Sequence, residues 1–421
     1  MNGTIYMPVG EVCSSISDTY REKKNMVTLI NTSDVLEGRV LNHERVPNFN
    51  LKGQFKKTFQ RDDILYSEIR PQNRRFAYVD FSPIDYIAST KLMVIRAKKD
   101  VVSPKYLYYF LKNSSTVAEL QLLAETRSGT FPQITFSEVA NLTIPVPSLA
   151  VQEVIVQTMQ CLEDKITCNE QINDNLEQQA KLLYDYWFTQ FDFPDENGKP
   201  YRSSGGKMVW NEQLKMEIPF SWICSKMENA IEAVRTGLNP RNNFQLGNGN
   251  IQYITVKNLC LNGSLDFSGC DTIDEQARQI VHRRSDIQRD DILFASIAPL
   301  GRCYLIQENP TNWDINESVF SIRYNSSVLT AEYLYMNLQS ETFVKRATAC
   351  STGSIFKGIR INSLMDSEII LPPLSVTKEF SKEIKPLLAL QKELDRETHT
   401  LIQLRDWLLP MLMNGQATIS D

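Results

Sequence analysis

The stretch RDDILYSEIR, beginning at Arg61, returns as RDDILFASIA at Arg289, 228 positions later. Further matches keep the same order. KYLYYFL at Lys105 pairs with EYLYMNL at Glu332, RSGTF at Arg127 with STGSI at Ser351, and VPSLAVQEVI at Val146 with LPPLSVTKEF at Leu371. The offsets stay between 224 and 228, a drift that loop insertions and deletions produce. Self-similarity at a nearly fixed offset marks a tandem duplication and constrains the fold more than any composition does. A chain of 421 residues is also too long for one ordinary core.

Each copy reads as a mixed domain followed by a helix. ILYSEI and LFASIAP are short apolar runs entered from Asp pairs, as strands entered from turns. SPKYLYYFLKNSSTVAELQLLAE has apolar spacing near 3.6 and a Ser-Pro start, which predicts a helix. SGTFPQITF predicts a turn leading into a strand. Past the prolines of IPVPSL, Ile155, Met159, Leu162, Ile166, Asn169, Asn173, Leu176, Ala180, Leu183 and Trp187 keep a 4-3 spacing. A shift of 225 gives Phe380, Ile384, Leu387, Gln391, Leu394, Thr398, Leu401, Arg405, Leu408 and Leu412 in matching phase. Both are heptad seams with a few polar positions that specify register at some cost in stability. Pro386 is expected to kink the second helix and Pro410 to end its regular part. Cys161 and Cys168, one heptad apart, read as helix-packing residues.

The expected class is α+β: two pseudo-symmetric mixed α/β domains separated by two long antiparallel coiled-coil helices. The expected boundaries are a first domain at 1–145, a long helix at 146–190, a linker at 191–216, a second domain at 217–370 and a second long helix at 371–415. A helix from Val151 to Trp187 spans roughly 55 Å. DNA advances about 34–36 Å per turn, so such helices are long enough to set two domains over two major grooves. Because the domains differ in sequence, a DNA site read this way is bipartite and asymmetric, with an unread spacer.

Charge and chemistry narrow the function. Net charge is −5, yet residues 1–143 hold 19 Lys+Arg against 15 Asp+Glu, while residues 144–196 hold 2 against 10. The first block suits phosphate and the second repels it, so the acidic helix is expected to face a protein partner. Eight scattered cysteines without a C-x-x-C pair argue against a zinc site or a disulfide scaffold. The start MNGTIYMPVGEV has no basic region followed by an apolar run, and no apolar run approaches a membrane span; a cytoplasmic location is expected. His43, His282 and His399 stand at no metal-ligand spacing, and no phosphate-binding loop or nucleophile elbow occurs. The chain reads as non-catalytic. The rival readings are a stand-alone methyltransferase or nuclease, which needs a cofactor pocket, and a coiled-coil scaffold or adaptor without base reading, which has no need of duplicated mixed domains.

Several segments carry a family likeness: IPVPSLAVQEVI and ILPPLSVTKEF leading into the helices, the GTFPQIT turn, YWFTQFDFPDENGKPYRSSGGKMVW between the halves, and the terminal LRDWLLPMLMNG. Over nearly its full length the chain resembles the specificity subunit of type I restriction–modification systems. That resemblance implies two target-recognition domains, two spacer helices, double-stranded DNA as ligand, and assembly with two methyltransferase subunits. It also implies association with restriction–translocase subunits. No cofactor belongs to this chain; S-adenosylmethionine, ATP and Mg²⁺ are implied for the partners. The second copy, STGSIFKGIRI, departs from the pattern in lacking the Pro-Gln of SGTFPQIT.

Candidate DNA contacts follow from side-chain chemistry, since Arg and Lys read guanine, Asn and Gln read adenine, and phosphate contacts fix position. In the first half they are Arg70, Gln72, Arg74 and Arg75 after the repeated strand, then Arg127, Ser128 and Thr130 in the turn. In the second half they are Arg302, then Thr352, Ser354, Lys357 and Arg360.

Overall fold

The computed structural model describes residues 4–22, 24–49, 53–126, 132–349 and 358–417. The chain divides into two compact units, Met1–Thr167 with Thr398–Asp421, and Cys168–Glu397.

In the first unit a four-stranded antiparallel sheet is built from β1 (Cys13–Ile16), β2 (Ile64–Ser67), β3 (Phe76–Tyr78) and β4 (Leu92–Ala97), in the order β1-β4-β2-β3. The ILYS run of β2 is buried at every position, hence its unbroken apolarity. Helix α1 (Pro104–Lys112) starts with Pro104 at a position whose N–H has no partner in a helix anyway. It buries Tyr106, Leu107 and Tyr109 in a core with Ile64, Tyr66 and Ile95. Helix α2 (Ser114–Thr126) follows at once, so the single helix expected over 103–125 is broken at Asn113.

The long helix α3 (Leu149–Tyr184) begins in the first unit, and α4 (Glu275–Ser285) belongs to the second. The second unit's main sheet has β5 (Ile231–Thr236), β6 (Ile292–Ala295), β7 (Cys303–Leu305) and β8 (Val319–Tyr324), ordered β5-β8-β6-β7. Strand for strand this is the sheet of the first unit. Helices α5 (Ala331–Gln339) and α6 (Glu341–Ala349) repeat α1 and α2.

The repeated RDDIL motif explains itself here. Asp62 and Asp290 both hold positive φ, 72° and 69°, in the turn that enters the strand. The next residue in each copy, Asp63 or Asp291, is buried and grips an arginine with both oxygens. Asp63 accepts from Arg96 Nε and Nη2, each at 2.7 Å, and Asp291 accepts from Arg323 at 2.8 and 2.9 Å. Such two-pronged pairs fix geometry as well as charge. A second repeated device is a close approach. Gly38, at φ +105°, and Gly263, at φ +79°, lie where an added Cβ would stand 2.1 Å from the hydroxyl of Tyr108 and Tyr335 respectively. Only glycine fits both the backbone and the space.

Every position of the two heptad seams is buried or half-buried. In the second unit, Asn169 donates to Glu397 at 2.8 Å, Asn173 to Asp395 at 2.7 Å, and the Trp187 ring lies 5.6 Å from Phe380. Numbers rise along α3 as they fall along α7 (Leu374–Met413), so the helices pair antiparallel. In the first unit Ile155 and Met159 share a core with Leu409 and Leu412 in the same sense. Two expectations need correction. Helix α7 runs through Pro410 to Met413, because a proline forfeits only its own N–H while the following turn keeps its bonds, such as Asn414 N–H to Pro410 O at 2.9 Å. Cys161 and Cys168 are exposed, off the seam, and do not pack between these helices. The segment expected as a linker carries ordered structure: Phe191 and Phe193 are buried against Trp222, and Met208–Asn211 pairs with Met216–Pro219.

Candidate nucleic-acid interface

Strand β2 delivers the chain to Glu68–Arg70, and there it meets the other candidate segment of the first half. Ile69 bridges Gln133, Arg70 N–H donates to Pro132 O at 3.1 Å, and Ile134 N–H donates to Glu68 O at 2.9 Å. The arginine loop and the Pro132–Ile134 end of the GTFPQIT segment are therefore one site. The expected strand after the turn is this single bridge, followed by a short helix, Phe136–Asn141, capped by Thr135 and Glu138. The second unit repeats the junction: Ile297 bridges Gly358, and Ile359 N–H donates to Ser296 O at 2.8 Å. Arg127, Ser128, Thr130, Thr352, Ser354 and Lys357 lie outside the described residues.

Within the first-half loop the four candidates differ. Arg70 and Arg74 both adopt left-handed backbone, at φ 44° and 51°, around a tight turn at Pro71–Asn73. Gln72 N–H donates to Gln121 Oε1 of α2 at 3.2 Å, which holds the loop on that helix. Arg74 reaches Ser114 Oγ at 3.0 Å, and Arg75 donates to the Ser33 and Val35 carbonyls at 3.0 and 3.4 Å. Those two side chains are half-buried and brace the loop, whereas Arg70 and Gln72 are exposed. In the second unit Arg302 is half-buried, donating to Val256 O at 3.4 Å, with its Nε buried and unpartnered. Arg360 is exposed, one residue beyond the Ile359 junction.

A second cationic surface lies on α4, where the sequence pattern assigned no site. Asp274 caps its first turn by accepting from Ala277 N–H at 2.8 Å, and Asp286 closes it in left-handed backbone. Arg278, His282, Arg283 and Arg284 follow along it. His282 Nδ1 lies 3.0 Å from the fully buried Asp314, which also accepts from Ser285 Oγ at 2.6 Å and Ile315 N–H at 2.9 Å. Burial pushes the Asp314 carboxyl up, against the pull of those hydrogen bonds. The signal in the sequence was the spacing R-x-x-x-H-R-R. The repeat does not point to it, because among the described residues the first copy has no such helix: the corresponding interval holds the short strands Val46–Pro47 and Phe55–Lys57.

Among the described residues, no group of three His, Cys, Asp or Glu side chains is placed to hold a metal ion. Among them, too, no helix is long and apolar enough to cross a membrane.

Residues 6–178 match the family described as the type I restriction modification DNA specificity domain. The chain is 26% identical to the HindI specificity subunit of Haemophilus influenzae, over 93% of this chain and 94% of that one. It is 24% identical to the MjaIX specificity subunit of Methanocaldococcus jannaschii, over 81% of this chain and 77% of that one. Among solved structures, the type I restriction–modification S subunit from M. genitalium superposes with a TM-score of 0.56 at 14% identity, covering 100% of this chain and 98% of that one. That likeness is one of fold.

Proposed function

From its likeness to type I restriction–modification specificity subunits we propose that the chain belongs to that family and reads a bipartite, asymmetric DNA site, one part with each mixed domain. It is the non-catalytic, DNA-recognising subunit that brings methyltransferase subunits to their target. In our reading two methyltransferase copies attach, and restriction–translocase subunits join them. S-adenosylmethionine, ATP and Mg²⁺ act in those partners. The paired long helices serve as the spacer that fixes the unread gap.

The observation that carries this reading is a shared frame with unlike surfaces. Both units keep the same sheet order, the same buried Asp–Arg pair and the same junction beside β2 or β6. The side chains at that junction differ: Arg70 and Gln72 in one, Ile297 to Leu300 in the other. A frame repeated for two readers of different half-sites has this form, because the fold can be common to both while base contacts cannot. A scaffold has no use for it. Methylome sequencing of a host carrying this chain with its methyltransferase partner tests the reading. It predicts one motif with two unlike specified halves and a fixed unspecified gap. A continuous or palindromic motif would overturn it.

A further inference from the structure

Within the second unit, the end of the main sheet bearing the Ile297 junction also receives α4. Thr236, the last residue of β5, pairs with Phe320, next to the Ala295–Val319 pair that leads into Ser296 and Ile297. Arg284 Nε lies 3.3 Å from Thr236 Oγ1, so the C-terminal end of α4 sits at that same edge. Beside it Arg235, Arg278, Gln279, His282, Arg283 and Asp286 surround an open cavity of about 430 Å³.

The charges here are not all neutralised. Asp286 is paired with Arg235 at 2.5 Å and with Arg323 at 3.2 Å, and Glu275 with Arg278 at 3.5 Å. Arg283 and Arg284 are exposed and form no ion pair among the described residues. Arg278 has a buried Nε without a hydrogen-bond partner. The Asp314 contact orients His282 by its Nδ1, and His282 is among the residues lining the cavity. At the second-half junction, Arg302 is directed at a backbone carbonyl instead. The second half therefore carries exposed arginines on an element that has no counterpart among the described residues of the first half.

We propose that the Arg278–Arg284 face of α4 binds the DNA backbone, with Arg283 and Arg284 contacting phosphates and Arg278 and His282 lining the seat. This rests on the reading of the chain as a DNA-recognising subunit and adds a positioning surface specific to the second domain. Arginine suits it because its planar fork matches phosphate oxygens. Phosphate contacts orient a reader without specifying bases, so the surface sets how the second domain lies on its half-site.

The test uses the chain assembled with its methyltransferase subunits and a duplex bearing its methylation motif. The Arg283→Gln/Arg284→Gln variant should flatten the dependence of log Kobs on log salt by about 0.9 for each phosphate no longer neutralised, about 1.8 for the pair. The methylated motif should stay unchanged, and Arg283→Lys/Arg284→Lys should keep the wild-type slope. Phosphate-ethylation interference should weaken in one half of the site only. A wild-type slope and interference pattern in the Gln variant overturns the proposal and leaves these arginines a helix-stabilising role at a C-terminus. A change in the bases methylated also overturns it, since base reading rather than backbone contact would then be involved. If the wild-type assembly does not prefer its motif over random duplex, the DNA-recognition reading itself fails, whatever the variants do.

Discussion

The two mixed domains agree in their interiors and disagree at their edges. The first places exposed Arg70 and Gln72 on a loop braced by Arg74, Arg75 and Gln121. The second shortens that loop's cationic content to Arg302, turned inward, and carries exposed arginines on α4 instead. What both retain is what the fold cannot lose: a left-handed Asp, a buried Asp–Arg clasp, and a glycine pressed on a tyrosine hydroxyl. Duplication preserved the frame and released the surface, which is the pattern expected when two copies come to recognise different things.

The largest effect should come from breaking the clasp. In Asp63→Ala, Arg96, 30% exposed, loses its two-pronged partner; in Asp291→Ala, Arg323, 17% exposed, loses that partner but keeps Asp286, whose carboxylate and carbonyl lie at 3.2 and 2.7 Å. Leaving a buried charge unpaired costs about 3 kcal/mol; the partial exposure of Arg96 and the second partner of Arg323 each reduce it. Denaturant unfolding of the intact chain should show losses approaching that order in both variants. A loss confined to one of them would break the claim of a common frame.

Next is the glycine–tyrosine contact. Gly38→Ala and Gly263→Ala should each destabilise by about 2 kcal/mol, through left-handed strain and the overlap with Tyr108 or Tyr335. Tyr108→Phe should recover part of the Gly38→Ala loss, since without the hydroxyl the nearest ring atom is at 3.2 Å. No recovery in a double-mutant cycle would mean that the backbone alone demands glycine.

A smaller effect sharpens a contrast along the seam. In the first unit the α3 seam is apolar at Ile155, Met159 and Ile166; in the second it turns polar at Asn169 and Asn173, facing Glu397 and Asp395. Burial pushes the Asp395 carboxyl up to about 6, only partly countered by the Asn173 amide. A carboxyl whose folded pKa is raised binds protons more tightly in the folded chain than in the unfolded one. Its contribution is therefore favourable at pH 4 and is lost as pH rises through 6. The stability difference between wild type and Asp395→Asn should shift by on the order of 1 kcal/mol between about pH 4.5 and 7.5, the screened value for a partly exposed group. A pH-independent difference would place the ionised carboxylate at no cost in the seam.

Much of this was legible in the residues. The RDDIL repeat announced the duplication because its two aspartates answer to two separate physical demands, a turn and a clasp. The 4-3 spacing announced the helices because every seam position has to be covered. What escaped has physical causes too. Asn113 interrupts an amphipathic pattern that continues on either side, so periodicity alone joined α1 to α2. Arg74 and Arg75 read as candidate DNA contacts, and their bracing by the Ser114 hydroxyl and the Ser33 carbonyl, distant in sequence, has no local signal. Helix α4 has no repeat partner among the described residues, and a repeat is blind to whatever only one copy contains.

The central claim is that the two domains are independent readers built on one frame. Replacing residues 1–143 with the equivalent segment of a relative of different specificity, then sequencing the methylome of the host, tests it most directly. The account predicts that one half of the methylated motif changes to the donor's while the other half and the gap between them stay as they were. A motif altered in both halves, or in neither with full methylation, would contradict it.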